Sequence, residues 1–268
     1  MVKSVNEGLT ALQITVVLSF MLYASWSDIK TREVSNKVWA FLGPVGLTFT
    51  LANVHLTGSY SRLNDLALSF LITTSIAMAL FYLGFFGGAD AKALICLSLA
   101  LPYPPTEVFT PAFSFIPLLP LSVFTNAIFS SVLIVFYALL RNFLRLASGK
   151  SLFEGLESEP ITKKFMSLIT GYKVSVPDLK AKFYLYPIEK IEQTQEGKIT
   201  KKFQVLIQAE ADREADIAKI AEFSRSGLVS EVWATPGLPF LFFITVGLII
   251  TLLFGDVIFW LISLFWRA

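Results

Sequence analysis

Long apolar segments alternate with short polar ones along most of the chain. Six segments are mostly apolar: 8–26, 36–56, 64–85, 91–101, 117–140 and 237–254. A helix needs about 20 mostly apolar residues to cross a bilayer, so the pattern predicts about six transmembrane helices. The fourth segment is short for a span and runs into the proline-rich stretch 102–105. We therefore expect it to be half-buried or to continue as an irregular loop covered by protein.

The charged residues are concentrated in one stretch, residues 141–235. It holds 15 of the 22 Lys and Arg residues and 13 of the 20 Asp and Glu residues. We predict an α-helical membrane protein with a small α+β cytoplasmic insert. Its parts are a membrane domain at 1–140 with helices one to five, the polar insert at 141–235, and a last transmembrane helix with a C-terminal interfacial segment at 236–268.

The insert has its own pattern of elements. Residues 161–170 read as a short helix, and 182–189 and 199–208 as two strands joined by a turn at 196–198. Residues 211–226 have helical periodicity and end before Gly227, a plausible cap. The insert carries no nucleotide-binding loop, metal cluster or nucleophile motif. We expect it to shape access to the membrane part.

The amino-acid composition excludes several classes of protein and of catalytic site. Hydrophobic residues make up 54% of the chain and charged residues 16%, which excludes a disordered chain, a nucleic-acid-binding domain and an ordinary soluble enzyme. A single cysteine, Cys96, and a single histidine, His55, exclude a disulfide framework and a Cys- or His-based metal cluster. We expect no metal, no organic cofactor and no nucleic acid partner. Any catalysis must come from carboxylates, hydroxyls or the backbone.

Basic residues predict the orientation in the membrane. The first loop carries Lys30, Arg32 and Lys37, the loop after the third segment carries Lys92, and residues 93–140 carry no Lys or Arg. Cytoplasmic loops are enriched in such residues. The pattern predicts a multi-pass cell-membrane protein with its N-terminus outside and the insert in the cytoplasm.

Two acids lie at the ends of predicted membrane helices. Asp28 ends the first helix and Asp90 follows the third. Both helices run inward, so both carboxylates reach the cytoplasmic border, where a buried acid is a candidate functional group. Two carboxyls a few ångströms apart share a proton, so one can act as base towards a water and the other as acid towards a carbonyl. Each acid alone could instead be a helix cap or an ion-pair partner of Lys30 or Lys92.

The sequence around both acids resembles a known family. Residues 28–36 read Asp-Ile-Lys-Thr-Arg-Glu-Val-Ser-Asn and resemble the first-aspartate region of type IV prepilin peptidases. Residues 87–92 read Gly-Gly-Ala-Asp-Ala-Lys and resemble their second motif, Gly-x-Gly-Asp, which also occurs in presenilin and signal peptide peptidase. The helix count and the insert are similar to the archaeal branch, the preflagellin or class III signal peptidases. Ala89 departs from the third motif position, which is usually Gly.

The resemblance implies a membrane-embedded aspartyl endopeptidase with Asp28 and Asp90 as the catalytic pair. Its substrates would be membrane protein precursors, pilin-like proteins or archaeal flagellins, cut between a short basic leader and a hydrophobic helix at the cytoplasmic border. The other candidate residues would bind substrate or support the pair: Gly87, Gly88, Lys30, Arg32, Lys92 and Glu33. The paired cysteines of bifunctional bacterial enzymes are absent, so we expect peptidase activity alone.

Two other functions fit some of the same residues. A presenilin-like protease would cut within the bilayer, whereas both acids are predicted at its edge. A proton-coupled transporter would place buried acids near the midplane, often in internal repeats, and this sequence has no repeat. Both remain alternatives from sequence alone.

Overall fold

Two units make up the chain in the computed structural model: Met1–Ser131 with Pro239–Ala268, and Val132–Leu238. The structure describes residues 2–106, 108–109, 117–193, 199–204 and 210–267. In chain order the elements are α1 (Val2–Thr31), α2 (Asn36–Thr57), α3 (Arg62–Tyr82), α4 (Gly88–Ala100), α5 (Leu119–Ala147), α6 (Ile161–Thr170), β1 (Tyr172–Ser175), α7 (Val176–Ala181), β2 (Leu185–Pro187), β3 (Glu189–Gln193), β4 (Ile199–Phe203), α8 (Glu210–Arg225), β5 (Glu231–Pro236), α9 (Phe240–Phe254) and α10 (Val257–Arg267).

Several long apolar helices fit a membrane protein. Among the described residues, α1, α2, α3 and α5 are long and apolar enough to cross a bilayer. The pair α9 and α10 is bent by 61° and could form a fifth span if its two helices act together. The predicted fourth span is the 13-residue helix α4, which is shorter than a span requires. The count of six spans stays a prediction.

Helix α4 packs closely against α2 in the first unit. A methyl group at Gly46 would overlap Cβ of Ala100, and one at Gly43 would lie 3.6 Å from Sγ of Cys96. Small residues allow two helices to approach in this way. The close approach buries most of α4, including Leu94 and Leu97.

Side chains from α1 and α2 donate hydrogen bonds to the last carbonyl groups of α4. Thr50 donates a 2.8 Å hydrogen bond to the carbonyl of Leu99, and Nε2 of Gln13 donates to the carbonyl of Ala100. Asn53 in turn donates to Oε1 of Gln13 at 2.7 Å. The last carbonyls of a helix have no partner within the helix, so this buried amide and hydroxyl network lets α4 end inside the unit.

The junction of α9 and α10 is fixed by two polar residues. Asn126 on α5 donates to Thr251 and to the carbonyl of Gly255, both at 2.9 Å. Asp256 is fully buried and accepts from the backbone of Phe259 at 2.8 Å. Asp256 is therefore the cap of α10, a position at which aspartate is favoured.

The second unit contains a three-stranded antiparallel sheet of order β1-β5-β2 and a separate pair, β3-β4. The predicted helices at 161–170 and 211–226 are confirmed as α6 and α8. Gly227 has the left-handed φ of 74° that a capping glycine adopts. Trp233 on the central strand β5 is fully buried and stacks on Phe153 with ring centroids 5.4 Å apart.

The predicted pairing of strands 182–189 and 199–208 is wrong. Residues 185–187 pair with β5, and β4 pairs with 189–193 in a register that places Glu189 opposite Phe203. Pro187 ends the first of these strands because proline has no N–H to donate to a ladder. The predicted turn at 196–198 and residues 205–208 lie outside the described residues.

Candidate active site

Asp28 lies in the last turn of α1, where the helix ends against its own loop. The carbonyl of Asp28 accepts from the backbone of Arg32 at 2.9 Å. Arg32 has a φ of 59°, a left-handed conformation that costs a non-glycine residue energy and marks a constrained turn. The side chain of Asp28 is half-buried. The turn thus fixes the backbone immediately after the acid.

Two hydroxyls hold the following loop on the helix. Ser27 donates to the carbonyl of Glu33 at 2.7 Å, and Thr31 donates to the same carbonyl at 3.1 Å. Ser27 and Thr31 are four residues apart and therefore share a helix face. No pattern in the sequence distinguishes them from other hydroxyl residues, so sequence analysis missed their role in shaping this loop.

The turn between α3 and α4 carries the glycine motif. Gly84 has a left-handed φ of 77°, and the backbones of Phe85 and Phe86 both donate to the carbonyl of Leu80, at 2.9 and 3.2 Å. The ring of Phe86 packs against Phe240 and Phe124, with centroids 5.1 and 5.7 Å away. Sequence analysis missed Phe86, because nothing local distinguishes it from the neighbouring phenylalanines.

Asp90 is the third residue of α4 and bonds back to the start of its own helix. Its Oδ2 accepts from the backbone of Gly87 at 3.0 Å, which satisfies one of the unpaired N–H groups that begin a helix. A Cβ at Gly87 would lie 3.2 Å from the same oxygen, whereas one at Gly88 would have ordinary contact with Phe81 at 3.7 Å. The two glycines are therefore not equivalent.

The two turns bring charged groups of different helices together. Asp90 lies within electrostatic range of Asp28 and of Arg32, and Arg32 also acts on Asp28. The guanidinium of Arg32 thus offsets part of the repulsion between the two carboxylates. Repulsion between neighbouring carboxylates favours a state in which they share one proton, and the cation stabilises the negative charge that remains.

The other candidate residues surround this pair unequally. Lys92 donates a 2.7 Å hydrogen bond to Oδ1 of Asn36 and so ties α4 to the start of α2. Lys30 lies 4.9 Å from the ring centre of Trp26, and Glu33 is exposed and fixed through its backbone. Arg32 therefore acts on both acids, and Lys92 bonds to the first motif. Among the described contacts, neither Lys30 nor the carboxylate of Glu33 touches the pair. Within the described residues, no group of three or more His, Cys, Asp or Glu residues could hold a metal ion.

Comparison with known proteins covers both units. A model described as the type IV leader peptidase family matches residues 15–140, which contain both acids. A second, described as archaeal peptidase A24 C-terminus type II, matches residues 163–257. The chain belongs to the peptidase A24 family. Both motif regions and most of the second unit therefore lie within recognised parts of the family.

Relatives similar to this A24 family member extend over nearly its whole length. The chain is 27% identical over 241 residues to preflagellin peptidases of Methanococcus voltae and Methanococcus maripaludis, covering 88% of this chain and 92% of each relative. It is 24% identical over 243 residues to a preflagellin peptidase of Methanocaldococcus jannaschii, covering 88% and 91%. The resemblance inferred from the two aspartate motifs is thus confirmed at the level of the family, and it indicates a leader-peptide-processing peptidase.

Proposed function

We propose that this peptidase is a membrane-embedded aspartyl endopeptidase with Asp28 and Asp90 as its catalytic pair. It would remove short basic leader peptides from pilin-like or archaeal flagellin precursors. The observation that carries this proposal is the electrostatic proximity of two acids from separate helices, each in a motif of a leader peptidase family. The family membership favours proteolysis over transport.

The reaction would use both acids as one unit. The ionised carboxylate takes a proton from a water as the water oxygen attacks the scissile carbonyl carbon, while the protonated carboxyl gives its proton to the carbonyl oxygen. The resulting diol collapses and the C–N bond breaks: the departing amine takes a proton from the acid that was the base, and one diol hydroxyl gives its proton to the other carboxylate, which restores the starting pair. The products are a leader with a new carboxylate and a mature chain with a new amino terminus.

Contacts around Asp90 support a fixed role for that acid. Because Gly87 holds Oδ2, proton exchange with water or substrate would fall to Oδ1. Arg32, which acts on both acids, would keep the singly charged pair stable near the membrane. We assign Arg32 as a positioning residue, Lys92 as the link between the two motifs through Asn36, and the exposed Lys30 as a headgroup contact.

The predicted topology would set where cleavage occurs. With the N-terminus outside, both acids would lie at the cytoplasmic border, and the second unit would lie in the cytoplasm. A precursor with its basic leader in the cytoplasm and its hydrophobic helix in the bilayer would then present the peptide bond between them to the pair. The apolar helix would stay in the membrane after cleavage.

Membranes containing the protein, incubated with a candidate precursor, test this function directly. We expect a new amino terminus immediately after the basic leader, identified by sequencing the product. Membranes with Asp28→Asn or Asp90→Asn should leave the precursor intact, while Asp65→Asn, an exposed acid in the first turn of α3, should cleave normally. Cleavage by either of the first two variants at the parental rate would refute the aspartyl mechanism.

A further inference from the structure

A polar cavity of about 330 Å³ lies wholly within the second unit, where the end of α5 meets β1. Its volume is in the range of small-ligand sites. Four basic side chains and two acidic side chains line it: Arg141, Arg145, Lys150, Lys173, Asp178 and Glu231. It belongs to no part of the aspartate motifs.

Both acids of the cavity are already neutralised. Glu231 receives two hydrogen bonds from Arg145, at 3.0 and 2.6 Å. Asp178 pairs with Lys182 at 2.9 Å and accepts from Ser175 at 2.7 Å. With four basic and two acidic side chains, the lining of the cavity keeps a net positive charge.

Three cations of the cavity have no partner at ion-pair distance among the described residues, and acids such as Glu231 act on them only at longer range. Across the described part of the chain, Arg141, Lys150 and Lys173 form no ion pair. The guanidinium of Arg141 lies 4.6 Å from the ring centre of Tyr172, which orients it without neutralising it. Burial lowers the pKa of Lys173, and a bound anion would offset that cost.

The position along α5 identifies where the anion would come from. Residues 93–140 carry no Lys or Arg, so Arg141 is the first basic residue after the apolar stretch. On the opposite side of the same turns, Phe136, Leu140 and Phe143 are exposed. In a membrane helix, a large exposed apolar face of this kind contacts lipid, so the cavity lies at the depth where that face ends, which is the depth of headgroups.

We propose that this cavity binds a phosphate group, supplied by an anionic phospholipid headgroup or by free phosphate, through Arg141, Lys150 and Lys173. Arginine and lysine are the residues that recognise phosphate. Asn142, a buried residue of the same lining, is fixed by hydrogen bonds from its Nδ2 to the carbonyls of Leu168 and Gly171.

Native mass spectrometry of the full-length, delipidated protein in detergent tests this proposal. The probes are short-chain phosphatidylglycerol, short-chain phosphatidylcholine and inorganic phosphate. We expect one phosphatidylglycerol to bind in preference to phosphatidylcholine, and affinity to fall roughly fivefold for each cation removed in Lys150→Gln and Lys173→Gln. Lys150 is exposed, so its substitution leaves the fold intact.

The matched control is Lys190→Gln, an exposed lysine of the same unit that does not line the cavity; it should bind as the parent does. Displacement of phosphatidylglycerol by inorganic phosphate would show that the site also takes the free ion. Retention against phosphate would identify the lipid as the ligand. The proposal fails if the parent does not distinguish the two lipids and binds no phosphate, or if Lys150→Gln and Lys173→Gln bind as tightly as Lys190→Gln.

Discussion

The backbone N–H of Gly87 donates a 3.0 Å hydrogen bond to Oδ2 of Asp90. The donor lies one position before α4 and the acceptor lies in its first turn, so the bond fixes the carboxylate relative to the helix. It also occupies the space in which a side chain at position 87 would begin, since a Cβ there would lie 3.2 Å from the same oxygen. The N–H of Gly87 thus fixes the Asp90 carboxylate, and the carboxylate in turn leaves little room for a side chain at position 87.

Replacing Gly87 with alanine should move Asp90 while leaving the fold intact. The φ of −70° at Gly87 suits any residue, so the added methyl group acts through its contact with Oδ2. We expect kcat to fall roughly ten- to a hundredfold with a thermal midpoint close to the parent. Gly88→Ala is the matched control, because its Cβ would meet only Phe81 at an ordinary 3.7 Å. Equal losses in both variants would contradict this account.

Losses at the two acids should not add. Asp28→Asn and Asp90→Asn should each lower cleavage by at least roughly a thousandfold, and the double variant should be no worse than either alone, since the mechanism we propose uses both acids as one proton-transfer unit. Single-turnover assays with equal amounts of protein in the membrane measure this. The parental rate should pass through a maximum with pH that belongs to the pair. A double variant much slower than both single variants would indicate independent roles.

Substitution of Asp256, unlike that of Asp28 or Asp90, should affect stability and not cleavage. It is buried and caps α10, and its Oδ2 accepts from Thr125 at 3.0 Å. Asp256→Asn keeps the acceptor for Phe259 but weakens the contact with Thr125. We expect a loss of about 1 kcal/mol in the free energy of unfolding and near-parental cleavage. Thermal unfolding and precursor cleavage on the same preparation measure both. Loss of cleavage without loss of stability would place Asp256 in the reaction.

The orientation of the chain can be read by labelling single cysteines with a membrane-impermeant maleimide. Cys96 is buried, so a Cys96→Ala background should fold and remain unlabelled. We expect Lys37→Cys to be labelled only in inverted vesicles and Tyr60→Cys, in the exposed connection between α2 and α3, only in intact cells. The reverse pattern would move both acids to the outer face and refute cytoplasmic cleavage.

The second unit should lose stability in acid through Glu231. Hydrogen bonds from Arg145 lower the pKa of Glu231 from 4.5, so the carboxylate stabilises the fold above that pH. This contribution is lost as pH falls below 4.5 towards the lowered folded-state pKa. Because the pair is partly exposed, we expect Glu231→Gln to cost about 1 kcal/mol at neutral pH.

Thermal unfolding of the full chain at neutral and acidic pH checks this. The variant and the parent should differ at neutral pH by a few degrees and converge in acid. Lys190→Gln serves as the control for a change of charge alone. A constant difference across the pH range would mean that the lost contact is not ionic.

The sequence predicted the long helices and both acidic turns because apolar periodicity extends over many residues and the motifs are local. Short strands were harder to predict from the sequence. Tyr172–Ser175 is a four-residue strand, too short to carry a period, and the sequence analysis predicted no strand at Glu231–Pro236, the centre of the sheet. Phe86 acquires its role from Phe124 and Phe240, which are distant in sequence. The two strands and the role of Phe86 all depend on contacts between residues that are distant in sequence.

The buried network at the end of α4 has a consequence at its beginning. Helix α4 has thirteen residues and is roughly 20 Å long. Gln13 and Thr50 hydrogen-bond to its C-terminal carbonyls, and Asp90 lies in its first turn. Because a helix is stiff, a change in the tilt of α4 at its C-terminal end also moves Asp90 at its N-terminal end. In the mechanism we propose, the alignment of the Asp90 carboxylate would therefore be set partly by residues at the far end of α4, roughly 20 Å from it.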